Sequence, residues 1–197
     1  MSPVSAPKIK THYREKLVQA IVYFASHTEH CGKTKLFKLL FLLDFEHFRE
    51  TGWSVTGLDY FAWKLGPVPV ALDEEWDEGF KEDLSAAIAI QNEPQYSYTR
   101  QTAAACVPFD DNFFSKRELR LLAAIAERYR DCRSGEMVDV THAENGAWEK
   151  TLKERGYNAR IDYELTLTGS DAPRITEAAR EYRKLLGDSS HCDAPGR

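Results

Sequence analysis

The sequence lacks the closely spaced cysteines and the long apolar stretches that mark metal-binding, redox-active or membrane-spanning proteins. Its four cysteines are scattered and form no CxxC pair, so neither a zinc site nor a redox motif is predicted. The longest apolar run, residues 121–126, is far shorter than the ~18 residues that cross a bilayer. The first residues also lack the apolar core of a signal peptide. We therefore predict a cytoplasmic protein with reduced thiols and no membrane contact.

Motifs that carry catalysis are scarce as well. There is no GxSxG nucleophile motif, and the Gly-Lys-Thr of residues 32–34 lacks the earlier glycine of a P-loop, because His27 stands there. Asp44 and His47 are spaced to share one helix face, but a metal site would need further ligands that the neighbouring sequence does not supply. Asp44 is expected instead to be buried and hydrogen-bonded to His47 or to backbone near residues 66–67. We predict no catalytic residue, no metal, no cofactor and no enzymatic activity.

Charge is unevenly distributed along a chain whose net charge is −5. Residues 1–49 hold eight basic and four acidic side chains, so the acidic excess lies further along. Much of it falls within residues 73–83, which either form a solvated helix face or dock a basic partner. The residues assigned to this acidic docking segment are Asp73, Glu74, Glu75, Asp77 and Glu78.

Hydrophobic periodicity predicts one mainly α-helical α+β domain over residues 11–186, with a flexible tail at 1–10 and a disordered tail at 187–197. Helices are predicted at residues 11–28, 34–51, 70–80, 115–130, 134–140, 148–154 and 171–186. Extended segments at residues 58–65 and 84–107, the latter with a turn at 92–94, are expected to form one small antiparallel sheet. A further strand is predicted at residues 161–167.

Several residues are predicted to begin or end these elements. Thr11 and Thr34 are expected to cap the first two helices, and the Ser115-x-x-Glu118 spacing predicts a capping box. Gly52 is expected to end the second helix in a left-handed conformation. The Gly-Pro-Val-Pro sequence of residues 66–69 is expected to end the preceding strand, because proline supplies no amide donor.

A DNA-binding role for residues 11–50 is the alternative function that the sequence leaves open. Two helices joined by a short segment, with basic residues Lys33, Lys35 and Lys38 at the start of the second, fit a helix-turn-helix pattern. However, the apolar residues between and after these lysines leave little of the helix free to enter a groove. Nucleic-acid binding is therefore not our preferred prediction.

Residues 35–44 (KLFKLLFLLD), the Thr-Gly of 51–52 and residues 62–69 (AWKLGPVP) together resemble the Panacea domain, also called the SocA-like antitoxin domain. This family of type II, phage-associated toxin–antitoxin systems has the pattern KL-x-KLLYFAD, a glycine, then A-W-x-x-GPV-x-x-x-L. Residues 41–43 are Phe-Leu-Leu here, where the family more often has Tyr-Phe-Ala. We expect no appended DNA-binding region of the kind that some relatives carry.

The resemblance implies an antitoxin that binds and neutralises a small protein toxin and, in the SocA type, also presents the toxin to a ClpXP-like protease. Buried aromatic residues supply much of the affinity of such interfaces. The aromatic residues near the turn at 66–69 are Trp53, Tyr60, Trp63 and Trp76, each of which either packs in the core or contacts the partner. The residues assigned to the motif or to toxin binding are Lys38, Asp44, His47, Trp63, Lys64, Gly66, Pro67, Val68 and Pro69.

Overall fold

A computed structural model describes residues 10–94, 99–143 and 146–187, which form eight α-helices, one 3-10 helix and two two-stranded antiparallel sheets. The elements are α1 Tyr13–His27, α2 Lys33–Thr51, β1 Phe61–Trp63, β2 Gly66–Val68, α3 Val70–Glu78, α4 Glu82–Ala87, β3 Ile88–Pro94, β4 Thr99–Ala105, α5 Lys116–Arg128, α6 Ser134–Ala143, α7 Ala147–Arg155, the 3-10 helix Tyr163–Thr166 and α8 Ala172–Leu186. The predicted mainly helical α+β fold is confirmed. The predicted tails lie almost entirely outside the described residues.

Helix α2 lies at the centre of the fold. Every side chain from Lys35 to Phe45 is buried, which is why apolar residues occupy nearly all of its faces rather than a single stripe. Helices α1, α5, α6 and α8 and strand β2 pack around it. In the described parts of the chain, no helix combines the length and apolar character needed to cross a membrane.

The helix ends partly confirm the predicted caps. Gly52 ends α2 with φ +89°, and Ser115 and Glu118 form the predicted capping box at the start of α5. The predicted caps at Thr11 and Thr34 are wrong, because His12 and Gly32 precede the first turns of α1 and α2 and neither supplies a side-chain cap. The spacing of apolar residues correctly predicts that both helices exist. It does not identify the residue at which each helix begins.

The predicted single sheet is wrong. Strand β1 pairs with β2, and β3 pairs with β4, in two separate sheets. Residues 66–68 do not end a strand but form β2 themselves, because Pro67 lies opposite Ala62 at the edge of a two-stranded hairpin, where proline is tolerated.

Three further predictions about extended segments are corrected by the structure. Residues 82–87 form α4 rather than a strand, and residues 92–94 end β3 rather than making a turn; the connection at 95–98 lies outside the described residues. The strand predicted at 161–167 is a 3-10 helix started by Asp162, whose side chain accepts a hydrogen bond from the Glu164 N–H at 3.0 Å. Arg160, which directly precedes this segment, forms an isolated antiparallel bridge with Phe61.

Candidate protein-binding surface

The most prominent surface feature of the family-like motif is the hairpin formed by β1 and β2. Trp63 pairs with Gly66, so Lys64 and Leu65 form its two-residue turn. Gly66 has φ +97°, and a Cβ at this position would lie 2.9 Å from Lys38 Nζ. A glycine is therefore required here both by the backbone conformation and by the close approach of Lys38.

Lys38 anchors the hairpin from below. Its side chain is only 1% exposed, and its Nζ donates a hydrogen bond to the Pro67 carbonyl at 2.8 Å. Burial lowers the pKa of Lys38 to about 7, because the charged ammonium loses its hydration. His142 lies close enough to this amine for its own pKa to be lowered, first by burial and then by the charge on Lys38.

Because the Lys38 amine is buried, it should make the free energy of unfolding depend on pH. Replacing Lys38 with methionine should remove this contribution. Because the folded-state pKa is about 7 and the ordinary value is 10.5, the unfolded chain binds more protons between these values. The free energy of unfolding should therefore rise with pH across this interval, by up to about 1.4 kcal/mol per pH unit.

Urea denaturation of the wild type and of Lys38→Met at pH 6 to 10 measures this contribution. The difference in unfolding free energy between the two should be flat below pH 7 and should grow in favour of the wild type above it. The exposed Lys184→Met variant is the control and should run parallel to the wild type. If the profile of Lys38→Met were parallel to that of the wild type, the Lys38 amine would have the same pKa in the folded and the unfolded protein.

The other side of the hairpin is held by α7 and by the segment that follows it. The Trp148 Nε1–H donates to the Trp63 carbonyl at 3.0 Å, and the His142 ring stacks on Trp148 with centroids 3.8 Å apart. Ala62 exchanges backbone hydrogen bonds with residues 158–159, donating to Ala159 and accepting from Asn158 at 2.9 Å each. The hairpin is therefore fixed on both sides.

Apolar side chains are exposed at the outer end of this fixed hairpin. Trp63 is 36% exposed, Leu65 is 61% exposed and Tyr157, which precedes the Asn158 that bonds to Ala62, is 58% exposed. These are three of the four exposed large hydrophobic residues in the described parts of the chain; the fourth, Leu185, lies on α8. We call Trp63, Leu65 and Tyr157 the hairpin-tip patch.

Most of the motif residues selected from the sequence lie beneath this patch rather than on it. Trp63 and Lys64 are exposed, whereas the other seven are buried. The buried residues are Lys38, Asp44, His47, Gly66, Pro67, Val68 and Pro69. Leu65 and Tyr157 were not selected, because a leucine or tyrosine in sequence carries no sign of exposure until its element is placed.

Asp44 is buried, as expected, but its predicted partners are wrong. Its carboxylate accepts hydrogen bonds from the Val55 and Thr56 backbone N–H groups at 2.8 Å, from the Thr56 hydroxyl and from the Tyr60 hydroxyl. Burial raises the pKa of Asp44 to about 6. The hydrogen-bond donors oppose this shift, because they favour the ionised carboxylate. Asp44 therefore fixes the segment that leads into β1.

His47 binds a different segment from Asp44. Its Nδ1 lies 2.8 Å from the Trp53 carbonyl, to which it donates, and burial lowers its pKa. Among the described residues, no group of three or more histidine, cysteine, aspartate or glutamate side chains is arranged to hold a metal ion. His47 and Asp44 therefore hold different parts of the loop after α2, His47 at Trp53 and Asp44 at residues 55–56.

The acidic docking segment is partly occupied by internal ion pairs. Lys33 lies 2.9 Å from Asp73 and 2.6 Å from Asp77, and Arg14 donates two hydrogen bonds to Glu75 at 2.8 and 2.6 Å. Burial alone would raise the pKa of Glu75, but these bonds from Arg14 lower it. These contacts tie α3 to α1 and α2, and the exposed carboxylates of the segment are Glu74, Asp77 and Glu78.

The same contacts remove the basis of the DNA-binding alternative. Lys33 is paired with α3, Lys38 is bound to Pro67, and Lys35 donates to the Glu29 and Arg130 carbonyls at 2.7 and 2.8 Å. A groove-binding helix would present such residues to phosphates and base edges. Helix α2 instead uses them to hold its neighbours.

The four aromatic residues singled out near the turn divide between core and surface. Tyr60 is fully buried, Trp53 stacks on Tyr182 and Trp76 packs edge-on against Phe37. Trp63 alone of the four reaches the exposed patch. Core packing therefore accounts for most of them.

The hairpin is held on both sides and presents exposed apolar side chains at its end. Residues 36–149, from α2 to α7, match the antitoxin SocA-like family, Panacea domain. The chain belongs to this family, and an antitoxin role follows for it in general terms. No curated protein and no solved structure is significantly similar to the chain.

Proposed function

We propose that this protein is a cytoplasmic antitoxin that neutralises a small protein toxin by binding it through the hairpin-tip patch. The observation that carries the proposal is the exposure of Trp63 and Leu65 at the end of a hairpin whose turn lies inside the family-matched region. Exposed Tyr157 directly precedes Asn158, which bonds to this hairpin at Ala62. Exposed apolar clusters of this kind typically mark protein interfaces. Tryptophan and tyrosine are also the residues that most often dominate their affinity.

The supports beneath the patch favour tight binding. Lys38 holds β2, Trp148 holds the Trp63 carbonyl, and residues 158–159 pair with β1. A surface that is already ordered loses little conformational freedom when a partner docks, so more of the contact energy appears as affinity. The buried motif residues then serve binding indirectly, by fixing the exposed ones.

The exposed acidic side chains extend the proposal to the charge of the toxin. Helix α3 begins at Val70, directly after β2, and carries Glu74, Asp77 and Glu78 on its exposed surface. A basic toxin surface would be attracted to this side of the hairpin, which raises the association rate more than the final affinity. Added salt should therefore slow association more than it speeds dissociation.

Replacing Leu65 with aspartate tests the patch. A charge at the centre of an apolar contact should weaken toxin binding by about 100-fold and abolish protection of growth. The matched control is Leu185→Asp, because Leu185 is 59% exposed against 61% for Leu65 but lies on α8, away from the hairpin. The measurements are growth of cells that co-express the small toxin encoded beside the antitoxin gene, and titration of the purified toxin.

The outcomes of this pair of variants are distinct. Loss of protection with Leu65→Asp and full protection with Leu185→Asp support the proposal. Full protection by both variants would place the interface elsewhere, and failure of the wild type to bind any adjacently encoded small protein would refute toxin neutralisation.

Presentation of the toxin to a ClpXP-like protease is the second part of the proposed function, and it rests on the SocA type of the family. The half-life of the toxin in cells measures it. A half-life that shortens when the antitoxin is present, and only when ClpX is present, supports an adaptor role. An unchanged half-life with full protection of growth would assign neutralisation to binding alone.

A further inference from the structure

A cleft of about 590 Å³ lies where the C-terminal end of α2 meets the first turns of α5 and α8. This volume falls in the range of small-molecule sites, which is about 300–1,000 Å³. No residue of the hairpin-tip patch lines the cleft, so it is separate from the proposed toxin-binding surface. Six ionisable side chains line it: Lys16, His47, Glu50, Arg117, Glu118 and Arg174.

His47 presents an unused hydrogen-bond acceptor to this cleft. Only 2% of the residue is exposed, and its Nδ1–H donates to the Trp53 carbonyl at 2.8 Å. Burial lowers the pKa of His47, so the ring is uncharged at neutral pH and its Nε2 carries a lone pair. Among the described residues, no group donates a hydrogen bond to this Nε2. Because buried acceptors are normally paired, the free nitrogen indicates a ligand that carries a donor.

The charges that line the cleft leave one cation without a partner. Lys16 lies 2.6 Å from Glu118, and Arg117 lies 3.7 Å from Glu50. Arg174 forms no ion pair within the described parts of the chain. Three cationic side chains therefore face two carboxylates, which leaves an excess of one positive charge. A guanidinium in this position matches a carboxylate, to which it can donate two parallel hydrogen bonds.

We infer that this cleft binds a sugar acid, which is a ligand with one carboxylate and several hydroxyl groups. The carboxylate pairs with Arg174, and one hydroxyl group donates to His47 Nε2. A second hydroxyl group donates to the Glu50 carboxylate, which is more than half exposed and lies 3.7 Å from Arg117. The indole of Trp53 supplies an apolar wall beside these polar groups. A single carboxylate balances the excess charge, whereas a phosphate dianion would reverse it.

Titration calorimetry of the wild-type protein with matched ring compounds tests the class of ligand. Glucuronate or galacturonate should bind. Glucose lacks the carboxylate and cyclohexanecarboxylate lacks the hydroxyl groups, so each should bind at least about tenfold more weakly than the sugar acid. Glucose 6-phosphate should also bind more weakly, because it carries a second negative charge. Failure of both sugar acids to bind overturns the inference, and so does equal or tighter binding of any of the other three compounds.

Replacing Arg174 with glutamine tests where the carboxylate binds. Arg174 is exposed on α8, so Arg174→Gln should fold normally, but it should bind the sugar acid at least about tenfold more weakly because a charge-assisted pair is lost. The matched control is Arg180→Gln, which removes an exposed arginine of the same helix that does not line the cleft. Its affinity should equal that of the wild type. An unchanged affinity for Arg174→Gln overturns the inference.

Nitrogen-15 NMR of the histidine rings gives a second measurement that does not depend on a variant. The Nε2 resonance of His47 should move upfield when the sugar acid binds, because a lone pair that accepts a hydrogen bond is more shielded. Cyclohexanecarboxylate, which has no hydroxyl group, should leave this resonance unchanged. A resonance that stays in place when the sugar acid saturates the protein overturns the inference. Neither measurement involves the toxin, so the result is independent of the proposed function.

Discussion

Replacing Asp44 with alanine is expected to lower the free energy of unfolding by about 3–5 kcal/mol. The carboxylate is fully buried and accepts hydrogen bonds from two backbone N–H groups and two hydroxyl groups, all from residues 55–60. Without it, the Val55 and Thr56 N–H groups are left buried and unpaired, and each such group costs about 1–3 kcal/mol. Urea denaturation followed by circular dichroism measures the change.

The pH dependence of this loss identifies its cause. The pKa of Asp44 is about 6 in the folded protein against an ordinary value of 3.8, so the folded state binds the proton more tightly than the unfolded chain does. Asp44 therefore contributes more stability below pH 4 than above pH 6, and the penalty of Asp44→Ala should shrink as pH rises through this interval. Asp131→Ala, at an exposed position, should cost less than about 0.5 kcal/mol. A penalty for Asp44→Ala as small as that of the control would contradict the structural role of the carboxylate.

The parts of the fold that depend on local sequence were predictable. Helix α2 follows from apolar residues on nearly every face, its end follows from Gly52, and the start of α5 follows from the spacing of Ser115 and Glu118. In each case the residues that determine the structure lie within a turn or two of one another. For these three features the sequence pattern therefore contains the whole signal.

The parts that depend on distant contacts were not predictable. Asp44 accepts hydrogen bonds from residues 55–60, whereas backbone near residues 66–67 was the predicted partner. Nothing in the sequence of either segment indicates which of them Asp44 contacts. Strand β1 pairs with β2 instead of the longer hairpin, because a two-residue turn at 64–65 lets a proline-containing strand fold back at once. Tyr157 comes near the hairpin only because residues 158–159 bond to Ala62 of β1.

The candidate site shows the same division between local and distant signals. The motif around residues 62–69 drew attention to this hairpin, but most of its residues are buried. A motif is shared by proteins that share a scaffold, and the residues that contact a partner are the exposed ones that the scaffold holds in place. We therefore propose that the toxin contacts lie in exposed side chains beside the motif, such as Leu65, rather than in the motif as a whole.

Replacing Gly52 with alanine is expected to lower the free energy of unfolding by about 2–5 kcal/mol and to loosen α8. Gly52 has φ +89°, and a Cβ here would lie 2.7 Å from the Ala179 backbone nitrogen and 2.9 Å from the Ile175 carbonyl oxygen. Both atoms belong to the backbone of α8, so the clash cannot be relieved by turning a side chain. The helix must move, which would expose Ile175 and Ala179, its two buried residues.

Gly187→Ala separates the clash from the backbone strain. Gly187 ends α8 as Gly52 ends α2, with φ +78° and ψ +14° against φ +89° and ψ +7°, but among the described residues no atom lies within 4 Å of the position of its Cβ. Gly187→Ala should therefore lower the free energy of unfolding by only about 1 kcal/mol, which is what the left-handed backbone conformation costs a residue with a Cβ. Urea denaturation measures both variants, and limited proteolysis should cut within α8 more rapidly in Gly52→Ala alone. Equal losses for the two variants would mean that α8 is not held against the end of α2.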